Sequence, residues 1–522
     1  PETVPTLPYR LYYPEGFFGD NIYTFVPISN LSDQTATVYV IARYETGVRD
    51  QLVGQLTIGP NARSGLTITT PELFRSGDAL AGRENAPFAL EIRSDRPVSA
   101  TFSHYDLGIL AGHQAAIGES FTSETRTDWS FPSVSKNMGG AVDFIVFYNP
   151  TDTFTKVSGR FYPASGGAPF QTAFNLDALR RGGWAINDMT IVASYTFTQA
   201  FTLQSDYLVN YSRPELGFTI INGVQIAEGT VIPAGTVIQS GSVLANGNAI
   251  PAGEYGVTLS SDTPIVASLS HYDYTELNAA GSIGNSGNGA PAGVIPEGQF
   301  GLNTGTETVA VLNPTNTETT TLITFIFANG SSVSRSITVP ANSQRMMNVA
   351  KIPNFPTNQA YGLTYETTNG NPVSVSLLTR GFGDAQASAT TATASTVWGF
   401  AEGFRPGDGD GHPGVTDLLR LYNPSDFDIT IEITIGYDGI PGTETFRRTL
   451  PARRVTEFNM DQFITGTRRL TPQWFGTRIK APTPIVAYMS HYDRAFAGLV
   501  PDDTPGAAFG TLGTPLGRTG SI

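Results

Sequence analysis

The chain has 522 residues, a formal net charge of −14 and no cysteine, and it contains 56 glycines and 35 prolines. This length exceeds what one hydrophobic core supports and predicts three or four domains. The lack of cysteine excludes disulfides, thiolate metal sites and a cysteine nucleophile. The negative charge argues against a nucleic-acid partner or an anionic membrane surface, and no apolar run approaches the ~20 residues of a membrane span.

Each repeating unit of the sequence has an asparagine-led turn, which in three units follows a Glu-Gly motif. The motif is Glu15-Gly16, Glu297-Gly298 and Glu402-Gly403, whereas the second unit departs from it with Pro132-Ser133. The turn reads Asn-Pro-Ser/Thr-Asp or close to it, which predicts a type I turn supported by side chains. The four turn asparagines are Asn30, Asn149, Asn313 and Asn423.

An alternating strand follows each turn. In the fourth unit Ile429, Ile431, Ile433 and Ile435 alternate with polar residues, so one face of the strand is expected to be buried and the other wet. Glycines then predict a hairpin. Several short strands with regular turn signals predict antiparallel β-sandwiches.

The last predicted strand of a unit follows a proline and ends in Ser-His-Tyr-Asp in three of the four units. The position seven residues after the proline is occupied by His104, His271, Thr379 and His491. A His/Asp/Ser catalytic constellation is one interpretation. However, Ser490 and His491 are neighbours on a strand and point to opposite faces, and His491 continues an apolar stripe. We therefore interpret the histidine as structural, hydrogen-bonded to backbone or to the Asp of the turn, as the threonine substitute also indicates.

These markers predict an all-β protein of four tandem antiparallel β-sandwich domains. Their bounds are 1–118, 119–290, 291–390 and 391–505, followed by a C-terminal tail, 506–522. Two low-complexity stretches, 279–293 and 384–396, are interpreted as linkers or extended connecting strands.

The second unit is longer than the others because it contains an insertion, 217–253. Glycine recurs there at every sixth position, and three places after each of the first six glycines stands an aliphatic residue. This period predicts a hexapeptide β-solenoid or a ribbon of short hairpins projecting from the sandwich.

The motifs together resemble a known class of modules. The Glu-Gly-aromatic motif, the Asn-Pro-Ser/Thr-Asp turn, the alternating strand and the Pro-Ala-Arg turn are similar to immunoglobulin-like β-sandwich modules that occur in tandem in bacterial exported surface proteins. This resemblance covers all four units. Residues 419–493 also resemble, more distantly, the small β-sandwich of the sensory-rhodopsin transducers. The resemblance implies an exported sandwich module without a catalytic motif and leaves the particular activity open.

Two further sets of residues have chemistry that suits a ligand. Asp408, Asp410 and Asp417 lie in or near a glycine-rich loop whose oxygen ligands suit calcium, although the spacing is not that of an EF-hand and a solvated acidic loop is the competing interpretation. Aromatic residues, Trp184 and Trp474 among them, would form a sugar platform if several faced one side. Packing in the core is the interpretation we favour for them.

The sequence favours a non-enzymatic extracellular structural protein: a subunit of a bacterial surface filament, surface layer or stalk that self-associates or joins other surface proteins. The segments 1–10 and 506–522 are the candidates for strand addition to a neighbour. An adhesin or carbohydrate-binding surface protein, with a glycan ligand, is the alternative, and a phage or virion decoration protein is a further one. Because the chain begins with Pro1, we expect that a leader has been removed and that the protein lies outside the cell or on its surface.

Overall fold

The computed structural model describes most of the chain. The described residues are 4–19, 22–68, 86–107, 114–186, 252–300, 305–381, 383–409, 414–493 and 506–521, with the dipeptides 195–196, 201–202, 231–232 and 237–238. They form an all-β structure of several antiparallel sheets with short 3-10 helices at Val349–Lys351, Met460–Phe463 and Gly466–Leu470. In this part of the chain, no helix has both the length and the apolar character needed to cross a membrane.

The first unit shows the pairing order that recurs along the chain. Its described strands are β1 (Tyr9–Tyr13), β2 (Ile22–Asn30), β3 (Ala36–Tyr44), β4 (Gln51–Ile58), β5 (Arg63–Ile68), β6 (Phe88–Ser94), β7 (Val98–Asp106) and β8 (Ala115–Ser120). They form two four-stranded sheets of order β1-β6-β3-β4 and β5-β2-β7-β8. Val38, Val40 and Phe102 lie in the apolar cluster between them, because alternate residues of each strand face inward.

The third unit repeats both orders. Its described strands are β21 (Ala292–Ile295), β22 (Thr306–Asn313), β23 (Thr319–Phe327), β24 (Ser332–Val339), β25 (Ser343–Asn348), β26 (Tyr361–Thr367), β27 (Ser374–Gly381) and β28 (Asp384–Ala389). The sheets are β21-β26-β23-β24 and β25-β22-β27-β28.

In the second and fourth units one long strand serves both sheets. The second has β9 (Arg126–Lys136), β10 (Ala141–Tyr148), β11 (Thr155–Pro163), β12 (Phe170–Leu176), β13 (Arg181–Ala185), the dipeptide strands β14 (Tyr195–Thr196), β15 (Phe201–Thr202), β16 (Val231–Ile232) and β17 (Val237–Ile238), then β18 (Gly253–Asp273), β19 (Asn278–Ile283) and β20 (Asn285–Ser286). The first half of β18 pairs with β11 and β9, and its second half pairs with β10 and β19.

The fourth unit has β29 (Thr393–Phe400), β30 (Phe404–Arg405), β31 (Val415–Asn423), β32 (Ile429–Tyr437), β33 (Thr443–Leu450), β34 (Arg454–Asn459), β35 (Gln473–Asp493), β36 (Ala507–Leu512), β37 (Thr514–Pro515) and β38 (Thr519–Ser521). Strand β35 pairs first with β32 and β29, then with β31 and β36. The stretch expected to be a tail therefore holds β36, β37 and β38, which pair with β35 and β29.

The strands that follow each Ser-His-Tyr-Asp position meet in one place. These hub strands are β8, β19, β28 and β36. Strand β8 packs against β19 and β36, and β28 packs against the same two. The first unit therefore contacts the fourth, and the order of units closes on itself. The low-complexity stretches 279–293 and 384–396 contribute to β19 and β28, so they form connecting strands and not free linkers.

Most of the insertion 217–253 lies outside the described residues. Its described part comprises β16 and β17, which pair with β15 and β14, and the residues Ala252 and Gly253, the second of which begins β18.

Candidate functional site

Each Ser-His-Tyr-Asp histidine faces a side chain on the neighbouring strand. The His491 Nδ1 atom lies 2.7 Å from Asp417 Oδ1, and the His271 Nδ1 atom lies 2.5 Å from Asp143 Oδ1. Each pair stands directly opposite in the strand register. The partner is therefore a buried strand aspartate six residues before the turn asparagine. The equivalent pairs in the other units are His104 with Thr24, at 2.8 Å, and Thr379 with Glu307, at 3.5 Å.

The same carboxylates hold the segment that follows the Glu-Gly position. Asp417 Oδ2 accepts a hydrogen bond from the Phe404 amide at 3.0 Å. Asp143 Oδ2 accepts one from the Ser135 amide at 2.5 Å. One acidic side chain thus joins the opening segment to the histidine strand in each of these units.

The partner decides the charge of the histidine. Burial lowers the pKa of His491, but the Asp417 carboxylate outweighs burial and raises the pKa to about 9. His104 faces a neutral threonine, and burial lowers its pKa to about 4. The pKa values of the equivalent residues His104 and His491 are therefore shifted in opposite directions, because a threonine faces one ring and a carboxylate faces the other.

Two of the three motif serines bond to a glutamate of another unit, because strand alternation points them away from the histidines. Ser490 Oγ donates to Glu297 Oε2 at 2.9 Å, and Ser103 Oγ donates to Glu402 Oε2 at 2.6 Å. The serine hydroxyls are thus used in contacts between units, while the histidines bond within their own unit.

The turn asparagines make closely similar hydrogen bonds in all four units, with three carbonyl acceptors in the first, third and fourth units and two in the second. Asn423 Nδ2 donates to the carbonyls of Phe427, Leu450 and Pro451 at 2.9–3.2 Å, and its Oδ1 accepts from the Ser425 amide at 3.0 Å. These bonds tie the turn to the strand that returns beside it. The corresponding residues are Asn30, Asn149 and Asn313, all buried.

Each Glu-Gly glutamate lies at the contact with the next unit. Glu297 accepts from the fully buried guanidinium of Arg420 in the fourth unit. Glu15 pairs with Arg181 of the second unit at 3.4 Å. Glu402 of the fourth unit reaches Ser103 of the first. In the first two cases the glutamate of one unit contacts the unit that follows it in the chain. The fourth unit contacts the first in the same way.

The unit-to-unit contact of glutamate and serine is replaced at one interface, that between the second and third units. Ser133 stands where the other units have the glutamate, and Leu378 stands where they have the serine. Both residues line a cavity of about 110 Å³ between the second and third units. At this interface the glutamate that accepts the hydrogen bond and the serine that donates it are therefore both absent.

The hub strands converge on one carboxylate. Asp384, at the start of β28, is buried, and its Oδ2 accepts from the amides of Ala116 and Ala508 at 2.7 and 2.8 Å. Its Oδ1 accepts from the Ala279 amide at 2.8 Å. A single side chain of the third unit therefore binds the backbone of the other three. Burial raises the pKa of Asp384 well above its usual range, while the amide hydrogen bonds oppose that rise.

Glycines allow the hub strands to approach closely. A Cβ atom on Gly118 would overlap the Phe509 ring of the fourth unit, and one on Gly281 would overlap Ile117 of the first. The signal in the sequence is Ala-Xaa-Gly at 116–118, 279–281 and 508–510. Its distance from the preceding histidine varies, so a search for fixed spacing misses it.

A cleft of about 420 Å³ lies between the first and fourth units. Its walls include Ser103, Glu402, His491 and the aromatic rings of Phe404 and Trp474. Trp474 is 48% exposed, and the Phe404 and Trp474 ring centroids are 5.1 Å apart. The other tryptophans, Trp129, Trp184 and Trp398, are buried in the cores.

Of the calcium candidates, two carboxylates already have partners. Asp408 pairs with Arg405 and with Arg469, and Asp417 bonds to His491 and to the Phe404 amide. Asp410 lies outside the described residues. Within the described ranges no group of three or more acidic, histidine or cysteine side chains is placed to hold a metal ion.

Comparison with known proteins finds no matching family model and no matching curated protein. Among solved structures, that of Thermotoga maritima 1070 matches 24% of this chain and 96% of its own, at 15% identity and a TM-score of 0.20. The Anabaena sensory rhodopsin transducer matches 17% of this chain and 92% of its own, at 21% identity and a TM-score of 0.15. The tetra-tandem repeat in the extending region of a large adhesion protein matches 95% of this chain and 93% of its own, at 7% identity and a TM-score of 0.10.

Proposed function

We propose that the chain is a non-enzymatic extracellular structural protein, a subunit of a bacterial surface filament, surface layer or stalk. The observation that carries this proposal is the hub, in which Asp384 bonds to backbone amides of three other units. The hydrogen bonds of this carboxylate hold the four units in their positions relative to one another. The motif histidines and two of the motif serines, Ser103 and Ser490, likewise make buried hydrogen bonds.

The proposed organisation is four β-sandwich domains, the second carrying the hexapeptide insertion. The recurrence of one pairing order in four successive parts of the chain supports it. Strands β36, β37 and β38 extend the proposed fourth domain to about residue 521. The contacts between the first and fourth units favour a compact building block over four domains in a line.

Assembly through strand addition is part of the proposal, but the segments expected to supply the strand are used within the chain. Tyr9 and Arg10 belong to β1, which pairs with β6, and the carbonyls of Val4 and Pro5 accept hydrogen bonds from Arg93. Residues 507–521 pair with the fourth unit. The better candidates are the edge strands β24 and β33, which end their strand orders and expose alternate residues.

Velocity sedimentation over a range of concentrations tests this proposal. We expect large assemblies that a Ser334→Lys/Ser336→Lys variant of β24 reduces, because lysines on an edge strand oppose edge-to-edge pairing. Thr357→Lys/Gln359→Lys, on an exposed loop of the same unit, is the charge-matched control. A wild-type chain that stays monomeric at every concentration, under conditions that preserve the fold, would refute the proposal.

The alternative is a carbohydrate-binding adhesin. The exposed Trp474 beside Phe404 in the cleft favours it, since aromatic rings stack on sugars. A glycan array with the full chain tests this alternative, and binding that Trp474→Ala abolishes would support it.

A further inference from the structure

The cleft between the first and fourth units differs from the equivalent contact between the third and fourth units. There, Arg420 stands three residues before the turn asparagine, and its guanidinium is fully buried against Glu297 and Ser490. In the first unit the same position is Pro27, which lines the cleft together with Glu402. The cleft between the first and fourth units thus lies at the position that the Arg420 guanidinium fills at the contact between the third and fourth units.

The arginine that lines the cleft, Arg63, has other partners. Arg63 pairs with Asp438 at 3.0 Å through Nη1, and its Nε donates to the Ala401 carbonyl. In the contact between the first and second units its equivalent, Arg181, pairs with Glu15 as well as with Glu45. In the cleft, the hydrogen bond to the Glu402 carboxylate comes from the Ser103 hydroxyl.

The charges that line the cleft favour a cation. Glu402, Asp438 and Asp493 supply three carboxylates, while Arg63 and His491 supply the cations. His491 is in addition paired with Asp417 at 2.7 Å, which offsets its charge. The cleft therefore has an excess of negative charge, which disfavours an anionic ligand.

The aromatic wall suits the same ligand class. Trp474 and Phe404 present adjacent rings, and Phe25 and Tyr105 line the opposite unit's side of the cleft. The face of an aromatic ring attracts an ammonium or guanidinium group, most strongly for tryptophan. The volume of about 420 Å³ lies in the range of small-molecule sites.

We propose that this cleft binds an alkyl guanidinium or ammonium group, with its cation between the Glu402 carboxylate and the face of the Trp474 ring. The group could be supplied by a free amine or by an arginine or lysine side chain of a polypeptide. The inference does not depend on the structural role proposed above, because it concerns one interface of the chain and not its assembly.

Isothermal titration calorimetry of the full chain tests the inference with two probes, agmatine and the peptide acetyl-Gly-Arg-Gly-amide. We expect binding that weakens as salt is raised, since charge attraction contributes to it. Tighter binding of the peptide would identify a polypeptide source, and tighter binding of agmatine a free amine. Both results support the proposal.

Two variants locate the site. Trp474→Ala and Glu402→Gln are each expected to weaken binding about tenfold or more, through loss of the cation–π contact and of the carboxylate. Phe427→Ala and Glu318→Gln, at exposed positions outside the cleft, are the matched controls and should leave affinity unchanged. Because Glu402 also accepts a hydrogen bond from Ser103, the thermal melting of Glu402→Gln is compared with that of the wild type to show that the variant is folded. Trp474 is exposed and lies outside the hydrophobic cores, so its replacement is not expected to affect folding.

Three results would overturn the proposal. They are an absence of binding by either probe at millimolar concentration, binding that the folded Trp474→Ala variant retains in full, and preferential binding of an uncharged oligosaccharide such as cellobiose or chitobiose. The last result would assign the cleft to neutral sugars.

Discussion

Replacement of Asp384 by alanine is the most informative perturbation of the hub. The change leaves the amides of Ala116, Ala279 and Ala508 without the acceptor they have at 2.7–2.8 Å. An unpaired buried donor costs roughly 1–3 kcal/mol, and removal of the buried charge offsets part of the sum. We expect the free energy of unfolding to fall by about 3–5 kcal/mol.

The assay combines thermal melting with amide hydrogen exchange. Melting of Asp384→Ala is compared with Asp152→Ala, which removes an exposed carboxylate from a turn. Exchange is measured on peptides that contain β8, β19 and β36. Because the three amides belong to three different units, one substitution should speed exchange in all of them.

Asp384→Asn should be intermediate, because the amide nitrogen of asparagine cannot accept a hydrogen bond and some of the three bonds are lost. An Asp384→Ala variant that melts like Asp152→Ala would contradict this role of Asp384. Faster exchange confined to β28 would also contradict it, since the carboxylate would then not hold the other units.

Three further predictions follow from the repeated contacts. Asn423→Ala removes the bonds to three carbonyls and should lower the free energy of unfolding by about 2–4 kcal/mol in urea titration, and an unchanged midpoint would contradict it. Asp417 holds the pKa of His491 at about 9, above its ordinary 6.5, so this pair's contribution to stability is complete below pH 6.5 and is lost as the pH rises through 9. Asp417→Asn should flatten that part of the pH–stability profile, and an unchanged slope would show that the pair does not cause it. Gly118→Val should cost about 1–3 kcal/mol or more through overlap with Phe509, and Phe509→Ala should relieve part of the loss in a double-mutant cycle.

The local parts of the fold could be predicted because their signals lie close together in the sequence. The alternation of Ile429, Ile431, Ile433 and Ile435 predicts β32, and all four side chains are buried in one cluster. The turn asparagines could also be predicted. Asparagine side chains hydrogen-bond to backbone groups of their own turn, so the turn motif itself is visible in the sequence.

The contacts between units could not be predicted in the same way. Asp384 binds amides at residues 116, 279 and 508, and no periodic pattern links these positions. The stretch that contains Asp384 has the composition of a linker, because it consists mostly of alanine, threonine and serine. Composition alone cannot distinguish small residues in a tight contact from small residues in a free segment.

The histidine partner was missed for a related reason. The sequence suggested backbone or the aspartate of the turn, whereas Asp143 and Asp417 lie on the adjacent strand, six residues before the turn asparagine. Strand register brings that position opposite the histidine. The acid at that position recurs in three units, as Asp143, Glu307 and Asp417, and would have been the signal.

Negative-stain electron microscopy of the purified native material tests the proposed function most directly. We expect filaments or sheets built from a compact subunit, with four lobes around a common centre where the hub strands meet. Dispersed single particles at every concentration, or four domains arranged as an open string, would contradict it.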